Sequence, residues 1–534
     1  MPTTAPPVAA GACERVRAAG SGLGLGRLRP SDQALLITAG FVGMRLVTSP
    51  LVGLGVDESY TVAVSRQLSL SYFDHPPLHQ WIVGVAEAAG ASGRILRAPF
   101  IVLSGVTSWL MFLLTRRLFG PAAGVWATLA FNLAGFFTVA AGSWILPDGP
   151  LNLWLLASAL ALTSILFPHV SLTSADQWRG WLGFGACLGL AALSKYQAVL
   201  FGAGAAAFFL TTPGRWRMLV SPKPVAAAVL TLALISPVLI WNADNGWASF
   251  LFQGARGGVH HGPQLVWVVV AILGQAALAL PWIYAPLLVA AAKVAAVGPA
   301  DDRRWLCLML GTPAIVIFSL TPLWGEHALP HWSMSGWLMI FPLLGAGLEA
   351  ASRRGSWPRV WAWGSAVATV SLWILAASET DIGWLPLAAP GLARDPTVET
   401  VGWSGLRPVV LQAKAADRRC LFVAALNWRE GGKVGAAVGD LAPVRVLSDD
   451  PRGFGYLKTP PSLVGCDALV IGSRETIGRG AALIGRSFLS TRPGFTHQEG
   501  RNGRLELSLV IVPAQFLLRP LTPSYGRSGA RLAS

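Results

Sequence analysis

Residues 33–58 read QALLITAGFVGMRLVTSPLVGLGVDE. The apolar part is near the ~20-residue length that carries a helix across a bilayer, and it ends on two adjacent carboxylates, Asp57-Glu58. The same loop then reads Tyr72-Phe73-Asp74-His75-Pro76-Pro77-Leu78. Carboxylates at a lipid–water boundary are costly to keep, so a pair there points to a site for acid–base or phosphate chemistry. Their plainer role is to open a helix, whose N-terminus favours negative charge. The Pro-Pro turn behind Asp74-His75 favours a site, because rigid surroundings hold polar groups in place.

The composition extends this reading to the whole chain. Of 534 residues, 53% are hydrophobic and only 13% charged, and the mean hydropathy is +0.54. Soluble domains carry about 25% charged residues. Many of the 23 Trp lie near the ends of apolar runs, as in interfacial belts. The chain is therefore a polytopic α-helical membrane protein. Its net charge of +15 comes from basic residues clustered between apolar segments, which topology explains without a nucleic-acid partner.

Eleven apolar segments are legible, at about 33–53, 97–116, 121–141, 147–167, 180–194, 197–212, 224–241, 264–290, 304–321, 333–349 and 358–377. The fifth is short and the eighth long. With the N-terminus in the cytoplasm, the inner segments hold about sixteen Lys and Arg, from Arg15 and Arg17 to Arg354 and Arg359, against about five outside. That bias predicts an N-in orientation. It places Asp57, Glu58, Asp74, His75, Asp148, Lys195, Asp244, His260, His261, Glu326, His327 and His331 on the outer face.

Three domains follow. Residues 1–30 read as a disordered basic cytoplasmic tail, and residues 31–377 as a transmembrane domain with a catalytic outer loop at 54–96. Residues 378–534 read as a small extracytoplasmic α/β domain, from short apolar runs at Leu421–Leu426, Val444–Leu447, Ala468–Ile471 and Leu505–Val512 between Gly/Pro/Asp breaks. Within the outer loop, Tyr60, Val62, Ala63, Val64 and Leu68, then Leu78, Trp81, Ile82, Val85, Ala86 and Ala89, recur at helical spacing. Two amphipathic helices along the membrane surface satisfy that pattern. Cys420 and Cys466 fall in the tail and can pair if it lies outside.

Three further outer signals carry chemistry. Ile145-Leu146-Pro147-Asp148-Gly149-Pro150 holds an acid between backbone-restricting residues; a plain turn Asp is the simpler reading. Ser194-Lys195-Tyr196-Gln197 puts a lone cation in a short turn, either snorkelling or touching phosphate. Gly325-Glu326-His327 through Pro330-His331-Trp332 is a polar-aromatic cluster before the tenth segment, or a belt Trp beside loop histidines.

The acidic pair after span one, Tyr-Phe-Asp-His-Pro-Pro-Leu, Arg97 entering span two, Pro-Asp-Gly, Ser-Lys-Tyr and His-Trp occur in an order that resembles the bacterial dolichyl-phosphate-mannose:protein mannosyltransferase-like and lipid A aminoarabinose transferase-like families. These are GT-C membrane glycosyltransferases. The resemblance covers roughly residues 33–350 and more loosely the tail. It implies a bacterial inner-membrane enzyme that moves a sugar from a polyprenyl-phosphate donor to a lipid, glycan or protein hydroxyl on the outer face.

In that frame Asp57 matches the family's catalytic acid and is the expected base, with Glu58 orienting it or substituting for it. Asp148 binds sugar hydroxyls or supports the first loop. The leaving phosphate needs positive charge or N–H donors, expected from Lys195, with Arg97 and His331 behind it. Tyr60, Tyr72, Asp74, His75, His327 and Trp332 are expected to position donor and acceptor. Arg45, inside span one, either pairs with an outer carboxylate or snorkels. No cofactor is expected, and a divalent metal is neither required nor excluded. The competing class is a transporter or lipid flippase, which would hold its ionisable residues near the bilayer midplane on broken helices.

Overall fold

The computed structural model describes residues 28–257, 264–324, 329–384, 396–416, 420–458, 463, 466–491, 494–501 and 504–516. Most of the basic tail, and with it His260, His261, Glu326 and His327, lies outside the described residues. Helices occupy all eleven predicted segments. Among the described residues six are long and apolar enough to cross a membrane as they stand, or eight if each of two bent pairs forms one span. The fifth segment begins earlier than read, at Ser174, because Thr173 and Asp176 form a capping box there.

The two bent pairs correct the simple picture of eleven straight spans. The third segment runs Pro121–Leu133, turns by 83° and continues as Gly135–Ser143. The eighth breaks between Leu265–Ala279 and Pro281–Val297 at 113°. Leu280 adopts φ +72°, and Pro281 after it disfavours a helical residue before it. The breaks meet: a Cβ on Gly135 would lie 3.0 Å from the Leu278 carbonyl oxygen.

Arg45, fully buried, answers the carbonyl groups that one break releases. It donates to the Thr138 carbonyl at 3.0 Å, Ser104 Oγ at 3.1 Å and Asn132 Oδ1 at 3.1 Å. It therefore neither snorkels nor pairs with an outer carboxylate. Backbone freed inside a bilayer must find such a partner.

The C-terminal domain carries a six-stranded sheet. Strands β1 (Leu421–Ala425), β2 (Val444–Val446), β3 (Asp467–Ser473), β4 (Phe488–Thr491), β5 (Phe495–Arg501) and β6 (Arg504–Phe516) include all four predicted runs. β1 pairs in parallel with β2 and β3, and β6 pairs antiparallel with β3, β4 and β5. A disulfide joins Cys420 and Cys466 at the entrances of β1 and β3.

The two amphipathic helices of the first loop are present, as Val56–Ser65 and Leu78–Ala88. The first does not lie half-exposed as its periodicity suggests: every residue from Glu58 to Ser65 is buried. The Trp428–Val438 helix of the C-terminal domain covers it. A Cβ on Gly435 would fall 2.4 Å from Ala63 Cβ, and one on Gly432 2.8 Å from Tyr60 Cα. Glycine is poor inside a helix; here it permits two backbones to meet. Lys433, between those glycines, donates to the carbonyls of Leu54 and Val401 at 2.6 and 3.2 Å, and burial pushes its ammonium down to about 8.

Candidate active site

The site grows from the start of the Val56–Ser65 helix. Glu58 closes a capping box by accepting from the Gly55 N–H at 2.9 Å, and it accepts from the Ile145 N–H at 3.0 Å. Arg97 meets it in a buried bidentate pair, with Nε 2.7 Å from Oε1. The remaining Arg97 donors go to the carbonyls of Ser49, Val52 and Gly53 at 2.7–2.9 Å. Two expectations are thereby corrected. Arg97 is not placed to bind a donor phosphate, because its guanidinium is enclosed and every donor group is engaged. Glu58 is not placed as a base or its substitute, because its oxygens hold the loop to Arg97 and Ile145.

Asp57, one residue earlier, points the other way. Its side chain reaches solvent and makes no hydrogen bond among the described residues. Protein nevertheless crowds it on most sides. That burial, then Asp74, raises its pKa, against Arg429 and Arg452, while Glu399 adds to the rise. Asp74 is buried and accepts from the Tyr60 hydroxyl at 3.0 Å; burial raises its pKa too, against Arg452, Tyr60 and Arg256. Tyr60 also accepts the Gly453 N–H at 2.8 Å. Tyr72 donates to the Gln67 carbonyl at 3.0 Å; its hydroxyl serves the loop and is not offered to a ligand.

The second half of the site lies where the Asp148–Leu166 helix begins and the Ser174–Ser194 helix ends. Lys195 Nζ sits 2.9 and 3.0 Å from the two oxygens of Asp148. Lys195 opens onto a cavity of about 310 Å³. Its polar lining comprises His75, Lys195, Tyr196, Gln197, Gln253, Arg256 and Thr321, and its apolar lining includes Val199, Leu200, Ile317 and Phe318. Trp324 and Trp332 complete the lining, with Arg256 lying 4.8 Å over the Trp332 ring.

His75 Nδ1 and Gln197 Oε1 are buried without a partner among the described residues. Burial, and then Lys195, push the His75 imidazole down to about 3, so it is neutral near pH 7 and offers an N–H rather than a charge. His331 stands beside the Asp148–Lys195 pair, its ring facing Phe136 at 6.3 Å. Among the described residues no group of three His, Cys, Asp or Glu is arranged to hold a metal ion.

The structure thus brings together Asp57, Tyr60, Asp74, His75, Asp148, Lys195, His331 and Trp332, while His327 lies outside the described residues. Sequence reasoning missed Arg256, Gln197 and Arg452. Gln197 closes the quoted Ser194-Lys195-Tyr196-Gln197 signal but was given no role. Arg256 and Arg452 carried no local mark, since each acts through distant neighbours.

Residues 74–241 match a sequence family described as dolichyl-phosphate-mannose-protein mannosyltransferase. By sequence no curated protein matches the chain. In structure the chain is similar to ArnT from Cupriavidus metallidurans, solved bound to undecaprenyl phosphate and in the apo state. Each match has a TM-score of 0.59 at 17% identity and covers 89% of this chain and 97% of ArnT. The protein is a multi-pass membrane protein with the ArnT-like GT-C fold. The family match spans the segment that holds Asp74, His75, Asp148 and Lys195.

Proposed function

We propose that the protein is a membrane glycosyltransferase that moves a sugar from a polyprenyl-phosphate carrier to a hydroxyl acceptor at the outer face of a bacterial inner membrane. One observation carries this reading: the cavity beside Lys195 is lined both by apolar side chains, suited to a prenyl chain, and by cationic and polar ones, suited to a phosphate. Arg256, Lys195 and His75 all line it. ArnT, with the same fold, was solved with undecaprenyl phosphate. The disulfide in the C-terminal domain supports an oxidising compartment for that domain.

The reaction follows from this arrangement. The acceptor oxygen attacks the anomeric carbon while the bond from that carbon to the phosphate oxygen breaks. The phosphate leaves with the bonding pair, and Lys195, Arg256 and the His75 N–H stabilise its charge. Asp57, exposed and without a hydrogen bond among the described residues, takes the acceptor's proton. Asp74 is adjacent to His75 in the chain and electrostatically coupled to Asp57, so it links the base to the phosphate site.

Purified protein should release polyprenyl phosphate from a labelled polyprenyl-phosphate sugar when acceptor is present. Asp57→Asn should slow transfer by about 10²–10⁴-fold while carrier binding persists. Transfer near the parent rate in that variant would remove Asp57 as the base, and no release from any polyprenyl-phosphate sugar would remove the enzyme reading.

A further inference from the structure

The 450–456 turn of the C-terminal domain reaches into the catalytic end of the membrane domain. Arg452 holds φ +52°, a left-handed conformation that a residue with a side chain adopts when its surroundings impose it. Its guanidinium lies 4.6 Å over the ring of Trp428, from its own domain, and 4.9 Å over that of Phe252, from the membrane domain. The next residue, Gly453, donates its N–H to Tyr60, which in turn donates to Asp74. A Cβ at position 453 would fall 2.4 Å from the Tyr60 oxygen, so glycine is required for the approach. Further along, Tyr456 stacks on Phe73 at 5.2 Å and meets Trp241 at 5.3 Å. Besides these aromatic contacts, the hydrogen bonds from Gly453 through Tyr60 to Asp74 set the Arg452 cation among the charges that act on Asp57 and Asp74.

Building on the glycosyltransferase reading, we propose that Arg452 is a positioning residue of the active site, supplied by the C-terminal domain, that sets the charge of the Asp57–Asp74 pair so that the base stays ionised. The groups facing these carboxylates are few. Asp57 faces Asp74, Arg429, Arg452 and Glu399; Asp74 faces Tyr60, Arg452 and Arg256. Arg429 is already paired with Glu399. Arg452 has Asp450 beside it at 3.2 Å; on Asp57 it acts second to Arg429, and on Asp74 it is the largest opposing influence. Two neighbouring carboxylates do not both ionise readily without such a cation.

The test separates charge from docking. Arg452→Gln removes the cation, and Arg452→Lys keeps it while losing the planar stacking. In Arg452→Gln the acidic limb of kcat/KM should move up by about one pH unit, with carrier affinity unchanged; in Arg452→Lys it should stay near the parent value. Difference infrared titration of the protonated carboxyl bands, assigned with Asp57→Asn and Asp74→Asn, gives the same midpoints without any turnover. Asp450→Asn, which frees Arg452 from its own acid, should move those midpoints down. Midpoints unmoved in both Arg452→Gln and Asp450→Asn would overturn the proposal. Midpoints that move as expected in a protein that never releases polyprenyl phosphate would overturn the glycosyltransferase reading and leave the charge coupling standing.

Discussion

Two buried ion pairs stand at the catalytic end of this molecule, and their surroundings make them different objects. Glu58–Arg97 is closed: three backbone carbonyls and two backbone N–H groups complete it. Asp148–Lys195 is open on one side, where Lys195 meets a cavity that His75 and Gln197 also line; among the described residues His75 Nδ1 and Gln197 Oε1 have no hydrogen-bond partner. Burial hardly separates them, at 1% and 3% exposure for the first pair and 7% and 6% for the second. What separates them is whether every donor and acceptor is already answered. A saturated pair organises the chain; an unsaturated one beside a cavity is available to a ligand.

The largest effect should come from breaking the closed pair. Arg97→Met leaves Glu58 as an uncompensated buried charge and three carbonyls without their donor, at a cost of about 3–5 kcal/mol. Stability in detergent and transfer should be lost together. If that variant melts like the parent and loses only carrier affinity, the roles assigned to the two pairs must be exchanged.

Lys195→Met should act in the opposite sense. Water entering the cavity can solvate Asp148, so most stability should survive. Loss of a charge-assisted contact of about 1.5–3 kcal/mol should weaken polyprenyl-phosphate binding by roughly 10–100-fold. Titration calorimetry with the carrier lipid alone would show it, and an unchanged affinity would return Lys195 to a purely structural role.

The smallest effect is one of pH. The folded His75 sits near 3, below the ordinary 6.5, so the unfolded chain binds the extra proton between those values. Its contribution to stability is therefore complete above about pH 6.5 and is lost as the pH falls towards 3. His75→Gln should flatten the fall in melting temperature over that window. An equally steep fall in the variant would assign the acid sensitivity to other groups.

How much of this was legible beforehand differs by element. The eleven helical segments were readable because span length and apolarity are local properties. Four of the six tail strands were readable because short apolar runs between Gly and Pro breaks are local too. The two breaks were not read, although Pro281 and Gly135 mark them. A residue that bends one helix and leaves another straight is distinguished by what fills the opened backbone, here Arg45 and the facing break. In the site, Asp148 and Lys195 were recognised individually but not as a pair. Arg97 was misassigned because a cation beside an outer loop looks the same whether it faces a phosphate or a carboxylate.

The sequence by itself determined that the chain spans a membrane many times. It also determined that acids, histidines and a lone lysine collect between particular segments, because hydropathy and loop punctuation are written over a few residues. Only the tertiary structure decided which of these groups answer one another. Arg97 meets Glu58 across 39 residues, Lys195 meets Asp148 across 47, and Gly453 reaches Tyr60 across 393. Charge in a low-dielectric site is governed by its nearest few ångströms, and those neighbours come from distant parts of the chain. The same carboxylate–cation chemistry therefore became a clasp in one place and the edge of a cavity in another.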